Sequence, residues 1–157
     1  MSKALVAYFS ASGVTGSVSR ALSAALSADL YEIAPAVPYT AEDLDWRNAA
    51  SRSSLEMKDK SSRPEIIDAP VHIADYDTIL VGFPIWWYVA PTIVNTFLEK
   101  HDFAGKRIIL FATSGGSGFG KTVDSLKPSV PGAVIEEGML QRGQQDLNAW
   151  KRWAKEL

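Results

Sequence analysis

The chain has no cysteine, and that one absence removes disulfides, thiolate metal sites, iron–sulfur ligation and a cysteine nucleophile. It also lacks any apolar run near the ~20 residues that a membrane-spanning helix needs. Its longest N-terminal apolar stretch, Ala4 to Phe9, falls short of the ~7–15 residues of a secretory core region. Ser10-Ala11-Ser12 imitates a cleavage site only superficially, so the run reads as a strand. A dominant charge is missing too: 16 basic and 18 acidic residues leave a net charge of −2 and are scattered. No basic stripe offers itself to nucleic acid, and no long block of one sign marks an interaction tail. The expected setting is a reducing cytoplasm, and the expected partner is a small molecule or a protein.

What is present is enough for a core. With 157 residues, 46% of them hydrophobic and 22% charged, the chain is expected to form a single domain, 1–157. Folded chains near this length bury about 68–70% of their unfolded surface.

Three apolar runs do not alternate with polar residues: Ala4 to Phe9, Thr78 to Phe83, and Arg107 to Thr113. Strands of that kind are covered on both faces, as in a parallel sheet. Leu30 to Ile33 and Ala133 to Ile135 could supply two more. Helical spacing lies between them: Val14, Val18, Leu22, Ala25 and Leu26 share a face, and so do Ile93, Val94, Phe97 and Leu98. Leu147, Trp150, Ala154 and Leu157 form a last stripe. Alternating strands and helices imply right-handed crossovers and an open sheet whose ligand site lies beyond the carboxyl ends of the strands. The segment from Ala34 to Tyr76 breaks the alternation. It is polar, holds four prolines and shows helical spacing only near Ala41 to Met57. It reads equally as a solvated connection or as a lid, since structureless stretches beyond ~12–15 residues are often functional.

The loops after the three strong strands carry the chemistry. Ser10-Ala11-Ser12-Gly13-Val14-Thr15 runs into a helix, where unpaired N–H groups and the positive end of the helix dipole favour an anion. One capping Ser or Thr would explain one hydroxyl; three within six residues suit a phosphate, held by neutral donors because the loop has no Lys or Arg. Pro84-Ile85-Trp86-Trp87-Tyr88-Val89-Ala90-Pro91 places three adjacent aromatics where the strand should have ended. They either pack under the next helix or border a planar ligand. Thr113-Ser114-Gly115-Gly116-Ser117-Gly118-Phe119-Gly120-Lys121-Thr122 offers four glycines for close backbone approach. From Gly115 to Thr122 it also spells the letters of a P-loop. A nucleoside-triphosphatase needs a later strand ending in a magnesium-binding Asp, and too little chain follows; the match reads as coincidence. A phosphorylated receiver domain would need acidic residues where Ser10 and Pro84 stand.

Together the three loops resemble those of the flavodoxin family, particularly bacterial flavodoxin-like proteins with a Trp-rich second loop. The likeness runs over nearly the whole chain and includes the Asp75-Tyr76-Asp77 entry to the middle strand. It implies an α/β fold, the flavodoxin-like three-layer α/β/α sandwich, with a five-stranded parallel sheet in the order 2-1-3-4-5 and one noncovalent FMN. Ser10, Ala11, Ser12, Gly13, Val14 and Thr15 would hold the phosphate. Pro84, Ile85, Trp86 and Trp87 would border the ring system on one side, and Thr113, Ser114, Gly115, Gly116, Ser117 and Gly118 on another. Flavodoxins typically carry Thr-Gly-Asn-Thr in the first loop; here Val14 replaces the Asn and only its backbone N–H can donate. The flavin would carry the redox chemistry. Between Pro84 and Pro91 there is no glycine to ease a peptide flip beside the flavin, which biases the protein toward two-electron transfer. The weak net charge gives little steering toward large redox partners. The expectation is therefore an oxidoreductase reducing a small acceptor such as a quinone from NAD(P)H, with an electron carrier between protein partners as the alternative. His72 and His101 are candidate proton donors by residue type alone, and a lone His is more often a surface or packed residue.

Overall fold

The computed structural model describes residues 3–157; Met1 and Ser2 of the expected domain lie outside them. Five parallel strands alternate with helices: β1 (Ala4–Tyr8), α1 (Val14–Leu26), β2 (Asp29–Glu32), α2 (Arg52–Lys58), β3 (Thr78–Pro84), α3 (Thr92–Glu99), β4 (Arg107–Ser114), α4 (Thr122–Leu126), β5 (Val134–Arg142) and α5 (Leu147–Lys155). The strand order is β2-β1-β3-β4-β5, so the order reverses between β1 and β3 and opens a crevice there. The register sets Tyr8 beside Gly82 and Gly82 beside Phe111, which brings the carboxyl ends of β1, β3 and β4 to one edge.

The uniform apolar runs work because each central strand feeds two cores. Leu5, Ala7, Ile79, Val81, Ile108 and Leu110 point toward α3 and its Ile93, Val94 and Phe97. The intervening Val6, Tyr8, Leu80, Ile109 and Phe111 point toward Val18 and Leu22 of α1 and Trp150 and Ala154 of α5. Period-2 alternation of direction with both faces covered leaves no polar position to interrupt the run. Among the described residues no helix is long and apolar enough to cross a membrane.

Several expectations change. The face expected of α1 included Val14, yet Val14 is exposed while Thr15 and Ser19 are buried. Leu147 and Leu157 of the last stripe are exposed as well; α5 buries Trp150 and Ala154. The helix expected near 41–57 is confined to α2. Thr40 and Asp43 exchange side-chain bonds to each other's N–H and start a single turn, but Asp45 and Asn48 then take the N–H groups of Arg47 and Ala50. Such local bonds compete with helical ones. Ser51 caps the helix that does form. The strand expected at Ala133 to Ile135 continues to Arg142. As an edge strand it is only half covered, so its polar residues face solvent and hide the pattern.

The 34–76 segment is tied at both ends. Pro35 bridges Ile66, Ala36 donates to Glu65 O and Ile67 to Ala34 O, closing the excursion between them. The excursion is pinned to the sheet edge by Tyr39, whose ring meets Phe9 and Trp86 edge-on at 5.6 and 5.5 Å. The Arg52 guanidinium lies 3.8 Å over the same ring. Burial, then the hydrogen bond to Glu56, pushes the Tyr39 phenol well above its ordinary pKa, so it remains a neutral donor.

Candidate functional site

The first loop leaves the sheet at Phe9 and turns into α1 through Gly13, whose φ of +92° suits glycine. Ser10 staples the turn: its Oγ accepts from Gly13 N at 3.1 Å and Gly16 N at 3.0 Å. The N–H groups of Ala11, Ser12, Val14 and Thr15 have no partner among the described residues. Free donors gathered around a helix start are the arrangement that suits an anion. Thr15 closes it from below, with its hydroxyl 2.8 Å from that of Thr113 on β4. Val14 leaves the core face because it lines the mouth of this cradle.

A cavity of about 260 Å³ joins the loops at that edge. Ser12 and Val14 come from the first loop, Pro84, Ile85 and Trp86 from the second, Thr113, Ser114 and Gly115 from the third. Ser114 organises the third loop by accepting Gly116 N at 3.1 Å, and Arg142 donates to Gly116 O at 3.1 Å from the end of β5. At Gly13, Gly115 and Gly116 the space that a Cβ would take is open. A fourth contributor escaped the sequence reading: Gly143 and Gln145, beyond β5, line the same cavity. Gly143 N donates to Ser114 O at 2.8 Å. The signal existed, since every other parallel strand delivers a loop to this edge, but the short reading of β5 ended that strand too early.

Trp87 does not line that cavity. Trp86 and Val89 exchange N–H···O bonds of 2.9 and 3.1 Å, and the two residues between them, Trp87 and Tyr88, have φ of +50° and +66°. That is the signature of a type I′ turn, which normally selects Asn-Gly. Holding two large aromatics there costs about 1–3 kcal/mol each, strain of a kind that gathers at functional sites. The turn is supported by Gly120, where a Cβ would stand 2.2 Å from Tyr88 O. Trp86 thus faces the cradle while Trp87 and Tyr88 face a larger cavity of about 700 Å³ next to it. A third hollow, between Trp86, Trp87 and the excursion, is bordered by Ser53, whose buried Oγ has no partner.

The P-loop letters have a structural explanation. Thr122 Oγ1, which a triphosphate site would aim at magnesium, donates to Phe119 O at 2.6 Å and is fully buried. Gly120 serves the aromatic turn. The histidines lie apart from the cradle: His72 is exposed at the start of a 3₁₀ turn, and His101 packs against Phe97 and Phe103. Burial lowers the His101 pKa. Among the described residues no group of three potential metal ligands exists.

A parallel sheet in this order, with a helix start and two further loops converging at the switch point, defines the doubly wound α/β class that holds phosphorylated ligands at that edge. The chain belongs to the flavodoxin family, whose sequence profile matches residues 3–157. It is 48% identical to a candidate flavoprotein from Bacteroides eggerthii DSM 20697, over 99% of this chain and 97% of that one, with a TM-score of 0.89. A flavoprotein from Lactobacillus acidophilus NCFM solved in complex with FMN shares the fold at 21% identity and a TM-score of 0.71, covering 96% and 99%. An Escherichia coli K12 protein called "Uncharacterized NAD(P)H oxidoreductase YcaK" is 27% identical over 59 residues. Those residues are 38% of this chain and only 26% of that protein.

Proposed function

We propose that the protein holds one FMN noncovalently at the carboxyl edge of its sheet and works as an oxidoreductase, taking electrons from NAD(P)H and reducing a small acceptor such as a quinone. The observation that carries the reading is the set of four unpartnered N–H groups at Ala11, Ser12, Val14 and Thr15, in a loop whose Ser12 and Val14 line the cavity walled by Trp86 and Gly115. Neutral donors of this number can satisfy a phosphate monoester without a Lys or Arg in the loop. The bare faces of Gly115 and Gly116 leave room for a flat ring against backbone. The family and the FMN complex of a relative with the same fold support the cofactor, and the distant E. coli relative supports the donor.

When bound, FMN would supply the hydride and electron chemistry. The chain's own part is to grip and to shield. Ser10 keeps the phosphate loop in its donor-outward shape, Ser114 and Arg142 keep the glycine loop folded, and the Tyr39–Phe9–Trp86 cluster fixes the aromatic wall. Charge steering toward a protein partner is weak at a net charge of −2, which favours a small acceptor over a carrier role.

Titration of the flavin-free chain with FMN, followed by quenching of flavin fluorescence, should give one site per chain. Riboflavin, which lacks the phosphate, should bind at least about tenfold more weakly; equal affinity would overturn the phosphate cradle. The loaded protein should then oxidise NADH or NADPH when a soluble quinone is added. Bound FMN with no such turnover would overturn the enzyme reading in favour of the carrier.

A further inference from the structure

The larger cavity beside the aromatic turn has a lining that the flavin cradle leaves unexplained. Its volume, about 700 Å³, falls within the roughly 300–1,000 Å³ usual for small-molecule sites. Trp87 and Tyr88 give it two flat walls, and both hold positive φ there. Met57 of α2 adds an adaptable, polarisable surface. Together these favour a planar aromatic body.

Its polar groups narrow the choice. Lys60 and Lys121 border the cavity with Asp124. Among the described residues none of the three takes part in an ion pair, so the rim carries one net positive charge in search of a partner. Deeper in, Asn95 is 95% buried, being only 5% exposed. Its Nδ2 donates to Ser125 O at 3.1 Å and to Ser129 Oγ at 3.0 Å. Both amide hydrogens are thereby committed, and Oδ1 is left as an acceptor without a partner among the described residues. A ligand that satisfies this lining presents an anion to the lysines and an O–H or N–H to Asn95, with an aromatic plane between.

We propose that this cavity is a second ligand site, separate from the phosphate cradle, that takes a planar aromatic anion bearing a hydrogen-bond donor, such as a hydroxylated aromatic carboxylate. The site needs no flavin. The cradle contributes Pro84, Ile85 and Trp86 from the same loop that gives this cavity Trp87 and Tyr88, so a ligand here would lie next to the ring wall.

The probe is 6-hydroxy-2-naphthoate, titrated calorimetrically into the flavin-free chain and again into the FMN-loaded chain. One site per chain is expected in both. The uncharged 6-hydroxy-2-naphthamide and the donor-free 2-naphthoate should each bind more weakly, the amide by about fivefold, as an exposed cationic rim would give. The Lys60→Gln/Lys121→Gln double variant should lose the same factor for the acid and nothing for the amide, while FMN affinity stays unchanged. No saturation by about 1 mM, equal affinity for acid and amide, or an unaffected double variant would overturn the proposal. So would a parallel loss of FMN affinity, which would place both lysines in the flavin site. If FMN fails to bind anywhere while the naphthoate still titrates, the flavin reading falls and this one stands.

Discussion

Gly120 connects two features that look unrelated in the sequence. Its φ of +55° and the position of Tyr88 O, 2.2 Å from where a Cβ would stand, mean that any side chain there must push the aromatic turn away. Ala at this position adds left-handed strain to a backbone clash, so Gly120→Ala should cost about 2–3 kcal/mol. A lower urea midpoint with an unchanged slope is the expected reading, together with a change in Trp fluorescence as Trp87 shifts. A variant as stable as the parent would mean that the turn relaxes freely and that its strain is not enforced by this contact. Lys121 and Thr122, the neighbours that complete the P-loop letters, show why a short motif needs its context. One borders a different cavity, and the other's hydroxyl is spent on Phe119 O.

At the scale of elements, what could be read in advance followed from burial on two faces. β1, β3 and β4 announce themselves because each side chain meets a core, with Leu5 and Ala7 on one side and Val6 and Tyr8 on the other. The three loops that follow them stood out as a hydroxyl-rich turn into a helix, an aromatic cluster and a glycine loop, because their residue types depart from what capping or packing requires, and the structure brings all three to one edge. β5 was not legible beyond Ile135. Glu136 and Glu137 break the apolar run, and Gly138 marks an irregularity: β4 advances from Leu110 to Ala112 while β5 advances from Glu137 to Leu140. The extra residue is a bulge, a device common beside functional sites, and it carries the strand on to Gly143 and Gln145. A Cβ at Gly138 would lie 2.5 Å from both Leu110 O and the Trp153 ring. Gly138→Ala should therefore cost about 2–3 kcal/mol and speed hydrogen exchange at Leu140 to Arg142, loosening the fourth contributor to the cradle. Unchanged exchange at those amides would show that the bulge tolerates a side chain.

For the molecule as a whole, pH tests how the peripheral segments are fastened to the sheet. Arg63, beyond α2, makes paired contacts of 2.8 and 3.0 Å with Glu99 at the end of α3, and Glu99 also accepts from Ser129 Oγ at 2.7 Å. The Arg63 bond, with Ser129 helping, holds the Glu99 carboxyl below its ordinary 4.5. Tyr76, with Lys3 assisting, does the same for Asp29 against 3.8, and Ser61 does so for Asp59. A depressed carboxyl favours the folded state above its ordinary value, and that benefit is lost as pH falls through the folded one. His101 acts earlier on the scale. Burial among Phe97 and Phe103 lowers its pKa below 6.5, so the unfolded chain takes up a proton first and stability begins to fall as pH drops past that point. Its other charged influences, Asp68 and Lys100, oppose each other. The urea midpoint should thus be level above about pH 7, begin to decline gently as the pH falls below about 6.5, and fall more steeply once the pH drops below the ordinary carboxyl range of about 4.5. His101→Phe should flatten the upper step alone, and Glu99→Gln should lower the plateau while softening the final fall. A midpoint that stays constant down to about pH 5 in the parent chain would mean that His101 gains enough water or charge pairing to titrate as it does unfolded, and the packing seen around it would not describe the protein in solution.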